Sequence, residues 1–135
     1  MSQRDHIETL LRKAAQDEFA LVLLLQHDAA PEELVGFHAQ QATEKLLKAA
    51  LRRISVAYPL THQIERLMDL LAESGYPVPA GLDGLRHLTP FAVEYRYDVL
   101  PQEPEAALDG QQLHEWIAGL REWVMELDAP VEGAG

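Results

Sequence analysis

The densest group of reactive side chains in the chain is Tyr95-Arg96-Tyr97-Asp98. Two phenols, a guanidinium and a carboxylate in succession suit a nucleobase by stacking and a phosphate by charge. On a helix restarted after Pro90, Arg96 shares a face with Ala92, Val93, Val99 and Leu100, so its charge is drawn toward apolar surface and needs a partner. Glu44 is the candidate, because carboxylate and guanidinium match geometrically. Two alternatives stay open: an arginine whose stem packs while its head reaches water, and aromatics that belong to a core or an interface.

His62 follows Thr61, whose hydroxyl can cap a helix, and is therefore expected in that helix's first turn. There the positive end of the helix dipole disfavours imidazolium and keeps a neutral ring for proton transfer or hydrogen bonding. A structural, hydrogen-bonding histidine is the other reading. The remaining histidines, His6, His27, His38, His87 and His114, show no close two-His spacing of the helical zinc type, so neither a metal nor a cofactor is expected. The chain has no cysteine, which excludes disulfides, thiolate nucleophiles and cysteine metal sites. It has no Gly-rich phosphate loop and no Gly-x-Ser-x-Gly elbow.

These residues must be held by helices. The stretch Phe37-His-Ala-Gln-Gln-Ala-Thr-Glu-Lys-Leu-Leu-Lys-Ala reads as a two-sided helix at about 100° per residue. Val35, Ala39, Ala42, Leu46, Ala49 and Ala50 form a narrow apolar stripe. On the other side Phe37, Leu47 and Leu51 are interleaved with Gln40, Glu44 and Lys48, a mixture suited to a site or to a subunit contact. Lys45, Lys48, Arg52 and Arg53 are four of the chain's 11 basic residues. Their clustering leaves room for a confined anion site, with a solvated helix face as the alternative.

Five helices are expected. The first runs from about Gln3 to His27, and its second half, apolar almost all round, reads as buried in a bundle or across an interface. Helix two begins with Pro31 in its first turn and extends to about Val56. Helix three follows Thr61, carries Ile64, Leu67, Met68 and Leu71 on one stripe, and ends at Gly75. Helix four starts near Leu82 and is kinked or restarted at Pro90 with Thr89 as the local cap. After Leu100-Pro-Gln-Glu-Pro a last helix carries Leu113, Trp116, Ile117, Leu120, Val124 and Leu127, and Ala129-Pro130 stops it. Short connections between long helices favour an all-α, up-and-down bundle.

The size of the chain, 135 residues, fits a single domain over residues 1–128, with a flexible C-terminal tail over 129–135. A formal net charge of −11 disfavours general duplex DNA binding, which normally needs a basic footprint. The longest apolar run, Phe19 to Leu25, is far short of a membrane span, and the polar N-terminus is unlike a secretory signal. No membrane association and a cytoplasmic location are expected.

Three segments, the helix-two stretch, Pro59-Leu-Thr-His-Gln-Ile and Leu88-Thr-Pro-Phe-Ala-Val-Glu-Tyr-Arg-Tyr-Asp, together resemble the HEPN domain family (higher eukaryotes and prokaryotes nucleotide-binding), in particular its small bacterial stand-alone members. The resemblance implies a helical bundle that commonly dimerises. It also implies a nucleotide or RNA ligand and a possible minimal nucleotidyltransferase partner in a toxin–antitoxin-like pair. Within that frame Gln41, Glu44, Lys48, Tyr97 and Asp98 are expected to line the ligand site, with Lys48 on phosphate and Glu44 orienting Arg96. Nuclease members follow the arginine with a histidine a few residues later. Here Arg96 matches the arginine, but positions 101–103 are Pro-Gln-Glu and the next histidine is His114. Enzymatic activity is therefore left open. The alternatives are a rewired or degenerate ribonuclease using Arg96 with His62 for proton transfer, and a non-catalytic dimeric interaction module.

Overall fold

The computed structural model describes residues 2–92 and 108–127, and these form five helices with no strand among them. They are α1 (Gln3–Leu25), α2 (Glu32–Arg53), α3 (Ile64–Glu73), the 3-10 helix η1 (Ala80–Phe91) and α4 (Gly110–Glu126). The all-α bundle expected from periodicity is what the chain forms. Arg96, Tyr97 and Asp98, the continuation of helix four beyond Pro90, the stop at Ala129-Pro130 and the tail over 129–135 lie outside the described residues.

Helix starts follow their local chemistry. Ser2 caps α1 by accepting a bond from the Asp5 N–H while the Asp5 carboxylate accepts from the Ser2 N–H, a reciprocal box that satisfies two otherwise unpaired donors. Pro31 stands one position before α2, as its N-cap, instead of within its first turn. Its carbonyl accepts the first helical bonds, from the Leu34 and Val35 N–H groups. Glu32 and Glu33 at the start of α2, and Arg52 and Arg53 at its end, complement the helix dipole.

The expected capping of helix three is corrected. Thr61 closes a local turn by accepting from the Gln63 N–H, and α3 begins only at Ile64. The hydroxyl that satisfies the Ile64 N–H, at 3.0 Å, comes from Thr89 of η1. Thr89 in turn lies within hydrogen-bonding distance of both carboxylate oxygens of Glu65. Thr89 therefore caps α3 across the bundle, while any restart of helix four beyond Ala92 lies outside the described residues. Helix four also starts at Ala80, before Leu82, and as a 3-10 helix, which accommodates Pro90 near its end.

Both α2 and α3 end in the same double bond pattern. At α3 the Gly75 N–H bonds to the Ala72 carbonyl and the Tyr76 N–H to that of Leu71, with Gly75 at φ +92°. At α2 the Ser55 and Val56 N–H groups bond to Arg52 and Leu51, but the left-handed position is held by Ser55, at φ 62°. A side chain there is strained where glycine is not. Ser55→Gly is expected to stabilise the fold by about 0.5–1 kcal/mol, measured by urea unfolding; an unchanged or lower midpoint would contradict this.

α2 is the central helix, in contact with α1, α3, α4 and η1. The whole stripe Val35, Ala39, Ala42, Leu46, Ala49 and Ala50 is buried, and so are Leu47 and Leu51 of the mixed face. Leu47 and Leu51 of that face are thus covered by elements of the same chain, while Phe37 and Lys48 remain half-buried. Of the two burials expected for the second half of α1, the bundle supplies one side only: Ala14 and Leu21 are fully buried, whereas Phe19 and Leu23 are 66% and 45% exposed. α1 is tied to α4 by Arg121, whose guanidinium bonds Glu18. Among the described residues no helix is long and apolar enough to cross a membrane.

Candidate functional site

Burying α2 on nearly all sides creates a demand that its polar residues must meet within the fold. Gln40, Thr43 and Glu44 are buried, and a buried polar group without a partner is costly. Thr43 returns its hydroxyl to the Ala39 carbonyl. Gln40 and Glu44 are satisfied by each other and by two groups brought to the same place.

Glu44 is the hub. Its Oε1 accepts from Gln40 Nε2 at 2.9 Å and faces His62 Nδ1 at 2.9 Å. Its Oε2 accepts from Lys48 Nζ at 2.8 Å. Gln40, Glu44 and Lys48 stand at i, i+4 and i+8, one stripe of α2, while His62 arrives from the connection before α3. Gln40 also donates to the His62 carbonyl at 3.1 Å, so one buried amide fixes both the carboxylate and the backbone of the histidine. Burial pushes the Glu44 carboxyl up, but hydrogen bonds from Lys48, Gln40 and His62 and the charge of Lys48 outweigh it and hold the group below its ordinary value.

His62 is not in the first turn of a helix, since the N-cap of α3 is Gln63, so the dipole argument does not apply to it. Glu44 orients the ring instead. A neutral imidazole that donates through Nδ1 to a carboxylate presents Nε2 as its acceptor nitrogen. The His62 side chain is 43% exposed against 7% for Glu44, which makes His62 the most exposed of the three side chains that meet at the carboxylate.

Of the expected ligand-lining residues, Glu44 and Lys48 are brought together with His62. Gln41 is one bond removed: its Nε2 donates to Gln40 Oε1 at 2.7 Å, and its Oε1 lies 3.4 Å from Lys45 Nζ. Gln40 is the residue that sequence reasoning placed on the right face without assigning it to the site. Its position four residues before Glu44, on the Lys48 stripe, was the available signal. The basic cluster is largely committed: Lys45 and His38 both bind the Asp17 carboxylate of α1, Lys48 binds Glu44, and Arg53 donates to the Leu127 carbonyl. Lys48 Nζ also lies 5.2 Å from the centre of the Tyr58 ring. Among the described residues no three His, Asp or Glu side chains gather as metal ligands.

The sum is an anionic hub with an ammonium on one side and an oriented, accessible imidazole on the other. Such an arrangement can hold a phosphate edge between Lys48 and His62 or position a proton acceptor against it. Among known proteins, a family model described as the HEPN domain matches residues 7–126. Neither the curated proteins nor the solved structures yield a match.

Proposed function

The chain belongs to the HEPN domain family, which supports a nucleotide- or RNA-related function at family level, and we propose that it binds a nucleotide or RNA segment at the Glu44 cluster. The observation that carries this reading is the Lys48–Glu44–His62 constellation, in which a buried carboxylate holds an ammonium and an accessible imidazole together. Lys48 contacts phosphate through donors that Glu44 does not use, since an ammonium has three, and His62 offers its exposed edge. Arg96, Tyr97 and Asp98 complete the site in this proposal, with Arg96 drawn to Glu44 and the phenol and carboxylate on base and ribose. Gln41 supports them through Gln40.

The fuller reading has the protein act as a homodimer in the cytoplasm, working with a minimal nucleotidyltransferase in a toxin–antitoxin-like pair. Its support is the family's habit of dimerising and the resemblance to small paired members. Titration with mononucleotides and short RNAs at moderate salt tests the binding reading, with the nucleotidyltransferase present and absent. Saturable binding that His62→Ala weakens by about tenfold, roughly 1.4 kcal/mol, is the expected result. No saturable binding to any of them would sink it.

One observation favours a second reading, a rewired ribonuclease. Because Glu44 engages Nδ1 of His62, proton transfer falls to Nε2, and Arg96 would stabilise the phosphate. Arg96→Ala and His62→Ala should then each abolish cleavage of a sensitive RNA. A broad RNA panel left intact by the purified protein rejects this reading and leaves the binding one standing.

A further inference from the structure

The hydrogen bonds around Glu44 do not end at Gln40. Gln40 Nε2 faces two acceptors, Glu44 Oε1 at 2.9 Å and the His62 carbonyl at 3.1 Å. Its Oε1 is therefore turned to the other side, where Gln41 Nε2 donates to it at 2.7 Å. Gln41 then presents its own Oε1, 3.4 Å from Lys45 Nζ. Lys45 is held in turn by Asp17 Oδ2 of α1, whose Oδ1 engages His38 Nδ1. One hydrogen-bonded chain thus runs from α1 through α2 to the connection that carries His62.

This chain has only one possible sense. An ionised carboxylate and a backbone carbonyl accept without donating, and an ammonium donates without accepting. With acceptors at the Glu44 end and a donor at the Lys45 end, both amides must aim their N–H groups toward Glu44 and their oxygens toward Lys45. Turning either one over sets oxygen against oxygen. Aligned donors polarise one another along such a chain. Gln40 is fully buried, so water does not replace Gln41 at its oxygen. Left unpaired there, the amide would turn away from Glu44 and from the His62 carbonyl to find a donor.

We infer that Gln41 and Lys45 are positioning residues for His62, acting through Gln40 and Glu44 to hold the ring with its proton on Nδ1 and with Nε2 as the acceptor nitrogen. The inference rests on the proposed function only in taking His62 as a group that meets the ligand. Neutral histidine in water favours the other tautomer, with the proton on Nε2, so this state has to be imposed by the protein. Glu44 imposes it through Nδ1, and Glu44 is itself met by an amide whose oxygen Gln41 holds. Lys45 supplies the donor at the far end, and its bond to Asp17 makes α1 part of the support. A carboxylate aimed by a fixed outer layer of hydrogen bonds holds its imidazole more narrowly than one left to rotate.

The test is nitrogen NMR of the imidazoles in the isotope-labelled full chain at mildly alkaline pH, where histidine is ordinarily neutral, because ring-nitrogen shifts separate the two tautomers. The Nδ1–H form of His62 is expected to dominate in the wild type. Gln41→Met removes the donor without changing charge and should move the tautomer ratio toward Nε2–H by about fivefold, the lower end of what an unpaired buried acceptor costs. Lys45→Met should move it the same way by less, because Gln41 is half-buried and takes water instead. Lys45→Arg, which keeps a charged donor, should stay near the wild type. Urea unfolding of the same proteins separates positioning from packing: lost stability with an unchanged ratio in either methionine variant overturns the inference. So does a wild-type ring that carries its proton on Nε2. If Gln41→Met fails to fold, the comparison of Lys45→Met with Lys45→Arg decides. A ratio that responds in a protein that binds no nucleotide or RNA sinks the proposed function and leaves the chain standing; binding with a ratio that does not respond does the reverse.

Discussion

Glu44→Ala is expected to destabilise the fold by about 3–5 kcal/mol in urea unfolding. The carboxylate is buried, with 7% of its side chain exposed, and it is the acceptor for Lys48, whose side chain is 12% exposed, and for the fully buried Gln40 amide. Removing it strands an ammonium and an amide donor together, which is far more severe than losing a surface ion pair of about 0–1 kcal/mol. Glu44→Gln keeps the volume and one acceptor oxygen, so its effect should be smaller than that of alanine. The pH dependence has a definite sign. Because the folded carboxyl is held below its ordinary value, its contribution to stability is complete above the unfolded value and disappears as pH falls through the lower folded one. Acid unfolding of Glu44→Gln should therefore show a shallower loss of stability below the ordinary carboxylate range than the wild type. If Glu44→Ala changes stability by less than about 1 kcal/mol, Glu44 is not the hub described.

The helices were legible because their periodicities are strong and their breakers well placed. α2 was readable on its apolar stripe, since Val35, Ala39, Ala42, Leu46, Ala49 and Ala50 and the interleaved Leu47 and Leu51 all became core. What periodicity does not contain is which stripe meets a neighbour. The second half of α1 is apolar almost all round, yet Phe19 and Leu23 remain exposed, because coverage depends on where the other helices lie. Capping failed for a related reason. Thr61 and Thr89 are both credible caps locally, but the Ile64 N–H is satisfied from 25 residues away in sequence, and tertiary contacts override local propensity.

The candidate site was legible in part. Glu44, Lys48 and His62 were singled out by residue type, and they converge. The dipole expected at His62 has no helix turn to supply it, since α3 is capped at Gln63, and the neighbour of His62 is the Glu44 carboxylate. Choosing Gln41 over Gln40 differs by one position, about 100° on the wheel, and only the packing of α2 against its neighbours separates a buried amide that touches Glu44 from a half-buried one that touches it through another. Arg52 was named with the basic cluster, but its buried, unpaired Nε is a property of the folded environment that residue type does not contain. The part of the site assigned to Arg96, Tyr97 and Asp98 remains a proposal.

That proposal can be probed from α2, where Gly36 packs against Phe91. Gly36→Ala is expected to destabilise the fold by about 1–3 kcal/mol, although alanine gains about 1 kcal/mol of helix propensity over glycine. A Cβ on Gly36 would stand 2.3 Å from Phe91 Cδ1 and 2.6 Å from Cγ. Contact at Cγ means that the whole ring must shift, not merely its tip, so overpacking wins over propensity. Gly84→Ala supplies a matched control: its Cβ would meet Trp116 Cη2 at the same 2.3 Å, where η1 packs on α4. Phe91 ends η1 five positions before Arg96. If Arg96 acts with the Glu44 cluster, Gly36→Ala should weaken nucleotide or RNA affinity beyond its effect on stability, while Gly84→Ala loses stability alone. Phe91→Leu in the Gly36→Ala background should relieve both defects, a coupling that a double-mutant cycle measures directly. Equal affinities for the two folded glycine variants would separate Phe91, and the segment it leads into, from the ligand site.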